Sequence, residues 1–331
     1  MSSTAETPPT PSRLRTTLNP DRRKIIYGFA AVVALFVLGD ILKPGFATAS
    51  GIQQVLQVSS FVGLVAAGQT FVILVGGIDL SVPWVLNAAA IVMIAQASGS
   101  NGQLWLGIVV ALAIGLAFGV VNGLGIALLG VPAVVMTLGM NGIAQGLSLG
   151  VTHGLTCSGC TKPPPMTLVN LMTGKTGGIY TSLLIWLAVI ALVTFVLSFT
   201  TFGRRVYAVG NSQRVSHLAG VNVKVVTVAL YGLSGVFAAM AGVALAGFGG
   251  GATVGMGDPY LFQSIAAVVI GGTYILGGRG HYLGTVAGAI VLTTLVSVLL
   301  ATNAPNYARD IVYGVVILVI LLLYGRGRSE A

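Results

Sequence analysis

Hydrophobic residues run along most of this chain in blocks the length of a membrane span, and short polar segments separate them. A span takes about 20 mostly apolar residues. Ten blocks meet that description: Ile25–Leu42, Ile52–Val75, Leu80–Ala97, Leu104–Leu129, Pro132–Gly150, Thr181–Thr201, Lys224–Phe248, Tyr260–Gly277, Tyr282–Thr302 and Arg309–Tyr324. The pattern predicts an all-α integral membrane fold, a polytopic bundle of about ten transmembrane helices filling residues 25–325. An even number of crossings returns the chain to its starting side, so both termini share one side. Gly76, Gly77, Asp79 and Pro83 interrupt the second and third blocks and mark the weakest part of the pattern.

Composition strengthens this reading. Of the 331 residues 55% are hydrophobic and only 7% charged, whereas a soluble chain carries charge on about a quarter of its residues. A water-soluble monomer is excluded. Glycine occurs 47 times, about twice its usual share of roughly 7%, as expected where membrane helices approach backbone to backbone. The net charge of +9 would suggest nucleic-acid binding in a soluble protein. Here twelve of the sixteen Lys and Arg, among them Arg22, Arg204, Arg214, Lys224, Arg279 and Arg326, fall on one side of the membrane. The positive-inside rule makes that side cytoplasmic, and topology absorbs the charge without a nucleic-acid partner.

The stretch Met1–Asn19 contains Pro8, Pro9 and Pro11 among many Ser and Thr. It has too little apolar surface to bury. With the basic cluster up to Lys24 it is expected to be a disordered cytoplasmic tail, residues 1–24. No small-residue cleavage site follows the first apolar block, so the segment does not read as a signal peptide. Two longer polar segments remain, an external loop over residues 151–180 and a cytoplasmic loop over residues 202–223. The run Asn211–Leu218 in the second suits a short helix capped by Asn211 and ended by Gly220, a natural docking element.

Gly115, Gly119 and Gly123 recur every fourth residue, and Gly146 with Gly150 and Gly284 with Gly288 repeat the spacing. Such sets mark close helix packing, within one subunit or between two. Val72–Gly77 and Ala267–Gly272 are both apolar hexads that end in Gly-Gly, a suggestion of an internal repeat of the kind transporters carry.

Catalytic chemistry has little to work with. The chain holds three His, two Cys and seven acids, scattered among loops. Gly174-Lys175-Thr176 resembles the end of a phosphate-binding loop, but Val169 stands where that motif needs glycine. His153, Cys157 and Cys160 supply three zinc-type ligands where a structural site takes four. In an external loop the two thiols suit a disulfide or free thiols. No cofactor or metal is expected.

Asp79 differs, because an acid between apolar spans costs roughly 2.5–3.5 kcal/mol or more unless paired or wetted. It is either part of a polar path or, with Ser81, a cap for the helix starting near Leu80 with Pro83 in its first turn. Gln53, Gln54, Gln57, Gln69, Asn87, Asn122, Asn141, Gln145 and Gln263 also lie within blocks. Each can bond a neighbouring helix. Together they favour a wet path for a neutral hydroxylated solute over an ion, which calls for more intramembrane charge. Gln69, Asp79, Ser81, Asn87 and Gln263 are the candidate path residues.

Four ordered blocks carry a resemblance: Gly68–Val82, Phe202–Asn211, Ser264–Thr273 and Gly277–Gly280. Over Ile25–Tyr324 the chain resembles the ribose-type sugar permeases of ATP-driven importers, a family that also includes autoinducer-2 permeases. The resemblance implies a bacterial inner-membrane subunit without catalytic residues. It also implies a second permease subunit, a cytoplasmic ATPase and a periplasmic solute-binding protein as partners. Residues 202–223 would be the segment that docks on the ATPase, with Arg204, Arg205, Asn211, Arg214, His217 and Leu218 in or beside the docking helix.

The chain departs from that family at two places. Pro83 stands where many members have glycine, and Tyr260-Leu261-Phe262-Gln263 lacks the Glu and Asp that members often carry. No ribose specificity is therefore assigned; a sugar or similar small polar solute is the expected cargo, and the same machinery importing autoinducer-2, a polyol or a nucleoside is the close alternative. An ion-coupled secondary transporter is the alternative from another class, and the scarcity of intramembrane acids disfavours it.

Overall fold

The computed structural model of the protein describes residues 20–154 and 163–302, together with Tyr307, Ile311, Gly314 and Val315. The expected tail Met1–Asn19, the pair Cys157 and Cys160, and most of the block Arg309–Tyr324 lie outside the described residues. α1 (Pro20–Leu42) starts earlier than the apolar block, with proline at its first position and Arg22, Arg23 and Lys24 in its first turns. Proline suits that position because its missing N–H has no helical partner to lose. Thr48 then caps α2 (Ala49–Leu74) by accepting from the Gly51 amide.

α2 stops at a sharp break. Gly76 sits at φ +78°, a left-handed conformation that glycine adopts freely, and an extended stretch leads to α3 (Val82–Ala97), which has Pro83 in its first turn. α4 (Leu104–Leu129) and α5 (Ala133–Val151) follow, joined through Gly130 at φ +69°. The segment between α5 and α7 contains α6 (Met166–Thr173) and a ribbon of β1 (Lys175–Thr176) antiparallel to β2 (Ile179–Tyr180), with Lys175 opposite Tyr180. α7 (Thr181–Phe199), α8 (Thr201–Asn211) and α9 (Gln213–Leu218) lead into α10 (Val223–Phe248), α11 (Asp258–Ile270) and α12 (Tyr282–Ala301).

The centre of the bundle is α10 with α2 and α3, each of which packs on α10; all three bury most of their side chains. α4 lies along α10, α5 along α3, α11 and α12 along α2, and α1 against α12. The outer helices expose large apolar side chains, including Val33 and Val37 of α1, Trp105 and Val109 of α4, and Leu192 and Phe195 of α7. In a membrane that surface faces lipid, where exposed Leu and Phe carry no penalty. Trp186 of α7 donates to the Tyr282 hydroxyl at 3.2 Å, and that hydroxyl donates to the Gly63 carbonyl of α2 at 2.8 Å. Tyr282→Phe strands the buried Trp186 N–H, so a loss of about 1 to 3 kcal/mol is expected. A lower melting temperature with unchanged size-exclusion elution would register it.

The glycine spacing resolves into two kinds of surface. A Cβ on Gly115 would overlap the Gly235 carbonyl, one on Gly119 the Tyr231 carbonyl, and one on Gly123 the Val228 Cα. These three glycines therefore seat α4 on α10 backbone to backbone within one subunit. Gly284 and Gly288 do the same against Gly271 and Ala267 of α11. A Cβ on Gly139, Gly142, Gly146 or Gly150 of α5 would meet no described atom within 4 Å. That stripe lies open, flanked by exposed Leu138, Ile143 and Leu147.

Not every expected crossing forms a long helix among the described residues. Among the described residues seven helices are long and apolar enough to cross a membrane. The third and eighth blocks form helices of only 16 and 13 residues, about 24 and 20 Å at 1.5 Å per residue against a hydrocarbon core of about 30 Å. The cause is local: glycine-rich breaks follow α2 at Gly76 and α11 at Gly271–Gly272 and unwind one end of each block.

Candidate functional site

The first break gathers buried polar groups. Asp79 is 1% exposed, and its Oδ1 accepts from the Ser81 amide at 3.0 Å and the Ser81 hydroxyl at 2.6 Å. Its Oδ2 accepts from the Ser234 hydroxyl of α10 at 2.7 Å. Gln69 Nε2 donates to the Asp79 carbonyl at 2.6 Å, and Asn122 Nδ2 of α4 donates to the Ser81 hydroxyl at 2.9 Å. Together these bonds tie α2 through Gln69, α4 through Asn122 and α10 through Ser234 to one extended segment. Ser81 makes no side-chain cap bond to α3; the Asp79 carboxylate instead takes the Ser81 N–H, at the place where the sequence allowed a cap.

Of the candidate path residues, the structure brings Gln69, Asp79 and Ser81 into this cluster. Asn87 sits farther along α3, where its Oδ1 accepts the Met256 amide at 3.2 Å and its buried Nδ2 has no described partner. Gln263 is buried on α11. Sequence reasoning missed Ser234 and Tyr231, whose hydroxyl stands against Gly77. Nothing in the α10 sequence singles out either residue, because their partners lie about 150 residues away.

The second break mirrors the first. α11 ends in Gly271-Gly272, with Gly272 at φ +85°, and His281 caps α12 by accepting the Leu283 amide. The two breaks touch: the Gly278 amide donates to the Leu74 carbonyl at 2.8 Å, and Gly277 packs on Gly76. Each hexad of the sequence thus ends in a turn with a glycine at positive φ, and the segment that follows the second turn, at Gly277–Gly278, meets the first.

The segment over residues 202–223 is more ordered than a loop. α8 buries Gly203, Val206 and Val209 on one face and exposes Arg204 and Arg205 on the other. It is fastened to both breaks. Tyr207 donates its hydroxyl to the Gly280 carbonyl at 2.8 Å, while Gly210 packs on the Leu74 carbonyl and on Gly278. Asn211 does not cap the docking helix as expected. It ends α8, its amide donating to the Tyr207 carbonyl, and Ser212 caps α9 by accepting the Val215 amide at 3.3 Å. Ser212 holds the extended conformation an N-cap needs (φ −163°, ψ 111°), whereas Asn211 is still helical. Gly220 at φ +79° follows the end of α9 as anticipated. On α9, Arg214, Val215, His217 and Leu218 are exposed, Leu218 by 80%.

A buried polar break inside a helical bundle, fastened to an exposed basic segment, defines a transport subunit of the membrane. Comparison with known proteins makes this specific. Residues 51–321 match the family described as branched-chain amino acid transport system / permease component, and the chain belongs to that family: a multi-pass permease, not an enzyme. It is 31% identical over 294 residues to the ribose import permease protein RbsC of Haemophilus influenzae, covering 89% of this chain and 91% of that one. It is 33% identical over 305 residues to the autoinducer 2 import system permease protein LsrC of Escherichia coli, covering 92% and 87%. The ribose import permease protein RbsC of Escherichia coli K12 is 32% identical over 294 residues, covering 88% and 91%. No solved structure matches.

Proposed function

We propose that this chain is the inner-membrane permease subunit of an ATP-driven importer that moves a sugar or similar small polar solute from periplasm to cytoplasm by alternating access. The observation that carries the reading is the rigid connection from α9 through α8 to both glycine breaks. A docking partner that moves α9 moves Tyr207 and Gly210, and with them the segments at Gly76–Ser81 and Gly277–Gly280. Coupling of this kind needs a two-state element that the partner biases, and broken helices in transporters line solute paths. Gln69, Asp79, Ser81, Asn87 and Gln263 are the proposed path residues; Arg204, Arg205, Asn211, Arg214, His217 and Leu218 are the proposed coupling residues.

Membrane topology and partners follow from the same reading. Ten crossings are proposed, the two short helices completing theirs through the extended segments beside them, with both termini cytoplasmic. A periplasmic binding protein delivers the solute. A second copy of this chain completes the channel, and the open glycine face of α5 supports its docking, since close approach requires small residues. Gly146→Val is expected to leave the subunit folded while reducing the dimer fraction in detergent by multi-angle light scattering.

The relatives named for ribose and for autoinducer 2 stand at nearly equal identity, so cargo is assigned only to the class of small hydroxylated solutes. A polyol or a nucleoside satisfies the same uncharged amides. The first test is co-purification of an ATPase from detergent-solubilised native membranes. Wild type is expected to retain it and a variant with Arg214, His217 and Leu218 changed to Ala to lose it, with no change in melting temperature because all three side chains are exposed. Equal retention by both proteins would remove the docking assignment.

A further inference from the structure

A cavity of about 1050 Å³ opens beside the docking helix, between the first break, the α4–α5 connection and the start of α10. Arg214, His217 and Lys224 line it, and among the described residues no Asp or Glu does. The start of α5, Pro132–Ala133, lines it as well, and this 19-residue helix has no side-chain cap. Uncapped N–H groups and the positive end of a helix dipole attract anions. A second, independent feature lies at the inner end. Tyr231 is 1% exposed, lines the cavity beside Gly77, and its buried hydroxyl oxygen has no hydrogen-bond partner among the described residues.

These features have an order along the cavity. Two cationic side chains, Arg214 and Lys224, with the His217 imidazole and the α5 N-terminus, stand at the exposed end; an unsatisfied hydroxyl stands at the buried end beside Gly77. An anion is attracted at the exposed end, and a neutral hydroxyl group at the buried end can accept from Tyr231. We infer that this cavity binds a small phosphorylated polyol, its phosphate on Arg214, His217, Lys224 and the α5 N-terminus and its hydroxyl groups toward Tyr231. Both a soluble phosphomonoester of the cytoplasm and a phosphatidylglycerol headgroup present this chemistry, and basic pockets between membrane helices take lipid headgroups. The inference concerns this chain alone and stands whether or not the importer reading does.

Titration of the purified full chain in phosphatidylcholine nanodiscs, without any ATPase, tests it. Glycerol 3-phosphate and inorganic phosphate are expected to bind saturably and glycerol not to bind. Arg214→Gln combined with Lys224→Gln should weaken both phosphate probes by about tenfold or more, the scale of losing charge-assisted hydrogen bonds. Tyr231→Phe should weaken glycerol 3-phosphate several-fold and spare inorganic phosphate. Lys43→Gln, at the other end of α1 from its basic cluster, should change neither, and melting temperatures confirm that each variant is folded. In the lipid arm, nanodiscs of mixed phosphatidylcholine and phosphatidylglycerol should leave phosphatidylglycerol retained on wild type after delipidation and lost from the double variant. Retention there without soluble binding identifies the lipid as the source, and soluble binding alone identifies the metabolite. Absence of both, or binding that survives the double variant, overturns the inference.

Discussion

Gly119→Val is expected to leave almost no folded protein in the membrane. The new side chain has nowhere to go, because the atoms it meets are the Tyr231 carbonyl oxygen and the Gly232 Cα, main-chain atoms that cannot rotate aside. Overpacking a core costs typically about 1–3 kcal/mol when side chains can adjust. Here α4 must lift off α10 along the seam that Gly115 and Gly123 also form, so the cost exceeds that range and becomes a large share of a total stability of about 5–15 kcal/mol. The measurement is the monodisperse fraction of a fluorescent fusion in detergent, with Gly146→Val as the matched control on the open face of α5. Equal recovery of the two variants would contradict the seam.

Asp79→Ala should abolish transport while the protein still reaches the membrane. The substitution strands the Ser81 amide, the Ser81 hydroxyl and the Ser234 hydroxyl, and a buried donor left unpaired costs about 1–3 kcal/mol. Loss of all three frees the extended segment from α10, so the break no longer follows α8. Asp79→Asn keeps one carbonyl oxygen for Ser81 and should retain partial uptake. Ser234→Ala takes away the one described partner of the buried Oδ2 and should cost about 1.5–3 kcal/mol, less than Asp79→Ala. Uptake and melting temperature measured together separate these cases. Wild-type uptake by Asp79→Ala would remove the segment from the mechanism.

How much of this was legible in the sequence depended on whether the signal was local. The long apolar blocks, the glycine sets and the breaks at Gly76-Gly77 and Gly271-Gly272 are features of neighbouring residues, and the helices follow them within a few positions. α3 and α11 read as full spans because Leu80–Val82 and Gly271–Gly277 are apolar or neutral; hydropathy cannot tell a helix from an extended strand of the same composition. α8 read as loop because Arg204, Arg205 and Asn211 lower its hydropathy, although Gly203, Val206 and Val209 at three-residue spacing carried the helical signal. Likewise Leu168 and Met172, four residues apart and both buried, announced α6 within a segment read only as polar.

The candidate site was half legible. Asp79 drew notice because an acid is costly among apolar spans, and Gln69 and Ser81 because they are polar there. Ser234 and Tyr231 did not, since serine and tyrosine are ordinary in a helix and their role exists only once α10 meets the first break. The shift of the α9 cap from Asn211 to Ser212 has the same origin. Both residues cap well, and the choice fell to tertiary contact, because Asn211 is held in α8 by its place against Gly278.

The central claim is that ATP binding by a docked partner drives solute through this chain. It is tested most directly by uptake of radiolabelled ribose and autoinducer 2 into proteoliposomes holding the chain with its co-purified ATPase, binding protein outside and ATP inside. The account predicts uptake of at least one such solute that requires ATP and binding protein together, is indifferent to an uncoupler, and vanishes when Arg214, His217 and Leu218 are Ala. Uptake that continues without the ATPase and collapses with the uncoupler would contradict it.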